Sequence, residues 1–272
     1  MNQQPPSQSS GSIVCVGLGM TLGAHLSPLS RNHIAQADVV FVAVSNPVVE
    51  AWVMEMNPDV RSLQSCYQDG KDRRQSYRDM VDMMMQEVRA GKNVVGAFYG
   101  HPGVFALPPH DVIRKAREEG YYAHMEPGIS AEDCLYADMG IDPGSVGSIH
   151  YEASQFMFYN RAIDTAAYVI LWQVGIAGDK TYGMYSSPNA FRQVLCDQLL
   201  AYYPADHQIA LYECPTLPIH GPRITWLPLS QLADAQTSQE TTMVIPPARV
   251  AEKNHAVLEK LKSLHDQQQT VD

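Results

Sequence analysis

Hydrophobic residues in the first half of the chain fall into short unbroken runs: IVCV at 13–16, VVFVAV at 39–44 and VVGA at 94–97. Runs that are apolar at nearly every position, rather than at every second one, predict strands covered on both faces, as in a parallel sheet. Between them the apolar positions recur at helical spacing over 25–36, 47–56, 72–90 and 111–119, the last stopped by Gly120. Alternation of strand and helix up to about residue 140 predicts an α/β sheet domain.

Beyond residue 143 the pattern changes. Strands are predicted at 167–172, 208–212, 225–227 and 243–245, with a helix at 189–202 and a closing helix at 249–264. The organisation expected is a flexible leader at 1–12, an N-terminal α/β domain at 13–146, a C-terminal α/β domain at 147–265 and a flexible tail at 266–272.

The helix over 72–90 carries an unusual cluster. Asp72 is placed to cap it, and Gln75 three residues later completes a capping-box pattern, with Gly70 supplying the turn before it. Tyr77, Met80, Val81, Met84 and Val88 share one face, and Arg73 lies one turn before Tyr77 on that face. Arg74 and Arg78 sit to one side. Arg73 is thereby placed where an apolar stripe leaves the core, with Tyr67 just upstream to fold over the opening. On spacing alone the plainer interpretation is favoured: arginines solvate or pair with Asp69, Asp72 and Asp79, and tyrosines pack their rings with the hydroxyl wet.

Three glycine-rich turns follow predicted strands: Gly17-Leu18-Gly19, Tyr99-Gly100-His101-Pro102-Gly103 and Glu126-Pro127-Gly128. The first departs from the Gly-x-Gly-x-x-Gly dinucleotide spacing, and no P-loop lysine follows it. Turns at strand carboxyl ends are where open α/β sheets bind ligands, so together the three predict a shared crevice. Ser130 is placed to cap the helix after the third turn.

Composition narrows the classes. The chain has 272 residues, 45% hydrophobic, with a net charge of −10. No basic stripe is present, which disfavours nucleic acid as the main partner. No apolar run reaches the roughly 20 residues that span a bilayer, so no membrane role is expected. The five cysteines (Cys15, Cys66, Cys134, Cys196, Cys214) lack framework spacing and read as reduced thiols of a cytoplasmic protein. His101, His110 and His124 form no ligating pattern, so no metal is expected.

The strand with GLG, the GHPGVF loop, EPGISAEDCLYADMGIDP, Gln173-Val174-Gly175, LYECP and TTMVIPP together resemble the tetrapyrrole methylase family from Gly11 to about Pro247. The resemblance implies two α/β domains, a homodimer, and S-adenosylmethionine bound in the cleft between the domains and released as S-adenosylhomocysteine. Met20 stands where the family usually has Pro, and His101 where it usually has Asp. His101 together with Tyr67, Arg73 and Tyr77 is similar to the borosin branch, which N-methylates backbone amides of a ribosomally made precursor peptide.

On that resemblance the reaction site is Tyr67, Arg73, Tyr77 and Tyr99. Cofactor contacts are Tyr99, His101, Val104, Phe105, Ser130, Ala131, Gln173, Tyr212, Thr241 and Thr242. Gln64 occupies the place of a further tyrosine found in fungal-type members. The polar end of the chain resembles the split type, which acts on a separate precursor, with a 2:2 complex implied. Two rival functions are a precorrin-like small-molecule methylase and a non-catalytic S-adenosylmethionine sensor.

Overall fold

The computed structural model describes residues 11–68, 71–179 and 186–269. Gly70 and Asp69, most of the leader and the last residues of the tail lie outside them.

The first sheet is built from β1 (Ser12–Gly17), β2 (Val39–Ala43), β3 (Val60–Ser62), β4 (Asn93–Phe98) and β5 (Tyr122–Met125) in the order β3-β2-β4-β1-β5. Every pairing in it is parallel. Its helices are α1 (Pro28–Gln36), α2 (Pro47–Met54), α3 (Arg73–Arg89), α4 (Leu107–Glu118) and α5 (Ala131–Met139), followed by a short α6 (Pro143–Val146). Both faces are buried, as the unbroken runs predict. Ile13, Cys15, Val39 and Phe41 pack against α3 and α4, while Val14, Val16, Val40 and Val42 pack against α1 and α2.

The second sheet contains β6 (Ser148–Glu152), β7 (Tyr168–Trp172), β8 (Gln208–Glu213), β9 (Arg223–Pro228) and β10 (Thr242–Ile245), in the order β6-β7-β10-β8-β9. Only β6 and β7 pair in parallel; the other pairings are antiparallel. Its two faces divide by strict alternation. Val169, Leu171, Ile209, Leu211, Met243 and Ile245 face α7 (Ala153–Phe158) and α8 (Asn189–Leu199). Ile170, Trp172, Ala210, Tyr212 and Val244 face the first domain and pack with Met20, Leu135 and Ile141. The second sheet thus uses one whole face to grip the first domain.

Several boundaries differ from the sequence expectation. α1 begins at Pro28 rather than 25, because Ser27 accepts from the Ser30 amide as N-cap; His25 instead uses Nδ1 to accept from the amides of Met20 and Thr21. α4 starts four residues early, since Pro108 and Pro109 fit a first helical turn that needs no amide donors. β3 and β6 were not anticipated; they are short and carry polar residues, so no apolar run marks them, while β5 is the strand expected before the third glycine turn. α2 and α8 end earlier, at Met54 and Leu199. The last helix, α9 (His255–Gln269), runs into the expected tail and is exposed along its described length, so it does not close the second domain.

Asp72 does cap α3, its Oδ1 accepting from the Arg74 amide at 2.8 Å. The reciprocal half of a capping box is not made, because the Gln75 side-chain oxygen accepts from Arg78 at 2.6 Å instead. Ser130 and Asp133 do form a capping box at the start of α5.

Candidate active site

The three glycine turns meet. Gly19 and Gly100 exchange backbone hydrogen bonds at 3.2 and 3.0 Å. A Cβ on Gly17 would lie 2.3 Å from the Gly100 carbonyl oxygen, and one on Gly128 would lie 3.0 Å from the same atom. Only glycine permits this approach. The carboxyl ends of β1, β4 and β5 are thereby drawn into one crevice, where a doubly wound sheet binds its ligand.

The second domain covers this crevice and encloses a cavity of about 310 Å³. Tyr67, Tyr77 and Tyr99 line it, as do His101, Val104, Phe105, Ser130, Ala131, Gln173, Tyr212 and Thr242. Chain segments far apart in sequence therefore supply one site. Trp172, Glu132, Glu240, Gln239, Met20 and Cys214 also line it and were not anticipated. The signal for Met20 and Trp172 was present in the sequence, since each flanks a motif already singled out.

Two expected residues lie off the wall. Arg73 is the first residue of α3, half-buried, one turn before Tyr77. Thr241 is fully buried behind the wall. Its hydroxyl bonds the Glu213 carboxylate and accepts from the Ser238 amide at 2.7 Å, while its carbonyl accepts from the Val174 amide at 3.0 Å. It pins the loop that brings Gln239 and Glu240 to the cavity rather than touching the cavity itself. The Arg74 guanidinium pairs with Asp72 at 2.7 Å, and Arg78 bonds Gln75, which fits the plainer interpretation for those two. Gln64 donates to the Val44 carbonyl at 2.7 Å, a structural use.

Backbone strain is concentrated here. Among the described residues, Phe105 (φ 51°) and Gln173 (φ 59°) are the non-glycine residues in the left-handed region, and both line the cavity. A bulky residue held there costs of order 1–3 kcal/mol, so the surroundings must impose it. Phe105 is held in part by Trp172, their ring centroids 5.4 Å apart.

The electrostatics favour a cationic, partly apolar guest. Glu132 and Glu240 are the acidic groups on the wall. Burial, then the neighbouring Glu213, raises the Glu240 carboxyl above its ordinary value. Burial also raises the Tyr99 phenol well above its ordinary value, reinforced by Glu240, so it remains protonated. The Tyr99 hydroxyl is buried with no hydrogen-bond partner of normal geometry, although the Thr216 side chain acts on it. Around these groups Tyr99, Phe105, Trp172 and Tyr212 offer flat apolar faces.

The fold is that of the corrinoid and porphyrinoid methyltransferases. A cobalt precorrin-4 methyltransferase superposes with a TM-score of 0.62 at 16% identity over 90% of this chain and 98% of its own. A uroporphyrin-III C-methyltransferase from Thermus thermophilus gives 0.63 at 16% identity over 87% of this chain and 94% of its own. The chain belongs to the tetrapyrrole (corrin/porphyrin) methylase family, whose model matches residues 12–233. Its relatives include methyltransferase/ribosomally synthesized cyclic peptide precursors. The gymnopeptides precursor of Gymnopus fusipes is 38% identical over 96% of this chain, and a type I borosin precursor of Coprinopsis marcescibilis is 39% identical over 94%. The omphalotin A precursor of Omphalotus olearius is 35% identical over 93%. This chain spans 63%, 67% and 62% of their respective lengths.

Proposed function

We propose that the protein transfers methyl groups from S-adenosylmethionine to backbone amide nitrogens of a ribosomally made peptide. One observation carries this reading: Tyr67, Tyr77 and Tyr99 converge on the cavity that the glycine turns enclose. The borosin-type relatives support the peptide as acceptor.

The cavity suits such a cofactor. Close-packed glycine backbone, flat aromatic walls and two carboxylic residues match a purine joined to a cationic amino acid. Phe105, Tyr212 and Gln173 would hold the nucleoside, and Ser130, Ala131 and Thr242 would hold the remainder. When bound, the cofactor supplies an electrophilic methyl group activated by positive sulfur.

The acceptor is the difficult partner. An amide nitrogen shares its lone pair with the carbonyl and is a poor nucleophile. Activation requires loss of the amide proton, with negative charge collecting on oxygen. We assign Arg73, one turn beyond the wall on the Tyr77 face, to that oxygen of a peptide lying across the cavity mouth, since a cation there stabilises charge as it develops. Tyr77 relays the amide proton, its oxygen accepting that proton as its own passes on to water. Tyr67 packs on Tyr77, and Tyr99, kept protonated by burial, orients the acceptor as a hydrogen-bond donor. His101 accepts from the Gly103 amide through Nδ1 at 2.8 Å, which makes it a holder of its loop rather than a base.

We assign the peptide to a separate chain, acted on by a cytoplasmic homodimer. The test is incubation with S-adenosylmethionine and a small protein bearing an apolar C-terminal stretch, sought among the neighbouring reading frames, read by intact mass. A gain of one methyl mass per site supports the reading. Cofactor binding with no transfer to any peptide overturns it.

A further inference from the structure

Behind the cavity wall a chain of polar groups crosses from one domain to the other. The Trp172 indole N–H donates to His150 Nδ1 at 3.1 Å. His150 Nε2 lies 2.8 Å from the Tyr136 hydroxyl and 3.1 Å from that of Ser148. Tyr136 in turn donates to Glu132 Oε1 at 3.1 Å. His150 and Trp172 belong to the second sheet; Tyr136 and Glu132 belong to α5 of the first domain. Trp172 and Glu132, the two ends of the chain, both line the cavity.

The donor inventory sets the direction of every proton. An indole N–H can only donate, so His150 Nδ1 carries no proton. Nε2 then holds the proton and donates to Tyr136, whose own proton goes to the carboxylate. The imidazole is neutral in this arrangement. A second proton on the ring would set N–H against N–H at Trp172. Burial, opposed by Glu132, lowers the His150 pKa below its ordinary value, which agrees with the geometry.

We propose that His150 is a positioning residue of the cofactor cavity: by accepting from Trp172 and donating through Tyr136 to Glu132, it fixes the ring that supports the strained Phe105. The proposal rests on S-adenosylmethionine being the ligand. His150 itself is not on the cavity wall, so it acts through Trp172. The groups facing it are Glu132 and Tyr136 on α5, Ser148 on β6 and Trp172 on β7.

The experiment measures S-adenosylhomocysteine affinity by calorimetry in the wild-type protein and in His150→Asn, His150→Gln, His150→Phe, Trp172→Phe and the His150→Phe/Trp172→Phe double variant. Asparagine puts a carbonyl oxygen where Nδ1 stood and keeps an acceptor for Trp172; glutamine and phenylalanine do not. His150→Asn is expected to bind within about threefold of wild type, and His150→Gln and His150→Phe about tenfold more weakly. In the Trp172→Phe background, His150→Phe should cost nothing further. Wild-type affinity should hold through the ordinary histidine value of about 6.5 and fall only as pH drops further, through the lowered His150 pKa, and that fall should be smaller in His150→Asn, whose position 150 cannot titrate. Equal binding by His150→Phe and wild type overturns the proposal. So does an equal loss in His150→Asn and His150→Phe, or the same pH dependence in wild type and His150→Asn. Failure of the wild type to bind at all overturns the proposed function itself, a result distinct from these.

Discussion

The Tyr67 and Tyr77 rings meet edge to face, with centroids 6.5 Å apart and planes at 85°. Tyr77 comes from the first turns of α3 and Tyr67 from the segment before it, so the contact folds that segment over the helix. Both rings reach the cavity. Tyr77→Phe keeps the ring contact and removes only the hydroxyl. It should bind S-adenosylhomocysteine as wild type does while methyl transfer falls by about 100-fold or more, the loss typical of a missing proton-transfer group. Calorimetry and intact-mass time courses check the two halves, and a fully active variant would remove Tyr77 from the mechanism.

Tyr99 presents the opposite balance of stability and function. Its buried hydroxyl lacks a normal partner, and such a group costs about 1–3 kcal/mol. Tyr99→Phe should therefore leave the unfolding free energy unchanged or raise it by about 1 kcal/mol, while methyl transfer slows. Urea denaturation beside single-turnover assays measures both.

The glycine turns have no room for a side chain. In Gly17→Ala the new methyl would press on the Gly100 carbonyl, an atom of fixed backbone. The turn must shift, and cofactor affinity should drop by about tenfold or more. Isothermal titration of the variant checks it; unchanged affinity would show that this turn does not shape the binding site.

Glu213 gives the fold an acid limit. Burial raises its pKa, but hydrogen bonds from Arg223, Thr241 and Ser238 outweigh burial and lower it from 4.5 to about 2. A carboxyl with a depressed folded-state pKa contributes stability that is complete above its unfolded value and is lost as pH falls through the folded one. Glu213→Gln should thus melt below wild type at pH 7, and the gap should close as pH falls from 4.5 toward 2. Thermal melts followed by circular dichroism across that range provide the measurement.

Met84 lies at the centre of the α3 stripe and is fully buried with Met80 and Met85. Met84→Ala should cost about 2–5 kcal/mol, since the removed methylenes leave a cavity between helix and sheet. Chemical denaturation reads this directly.

The parts legible in the sequence were those set by local period. Unbroken apolar runs marked β1, β2 and β4 of the first sheet because both of its faces are covered, and helical spacing marked the Met80, Val81, Met84 and Val88 stripe. Asp72 and Ser130 announced helix starts because a side-chain oxygen there satisfies amides that have no other partner. The glycine turns could be located, and the motifs around them pointed to the cavity residues from Tyr99 to Ala131.

What the tertiary structure alone decided depends on contacts between distant positions. No local pattern tells that one face of the second sheet grips α5, that Phe105 and Gln173 are forced into left-handed backbone, or that His150 meets both Trp172 and Tyr136. Thr241 fits a binding motif by sequence, yet Glu213, brought alongside by the β8–β10 pairing, draws its hydroxyl behind the wall. Arg73 shares a helical face with Tyr77, but the cavity begins one turn further on. Sequence spacing fixes which residues share a face; only the packing of the two domains fixes where that face ends and the cavity opens.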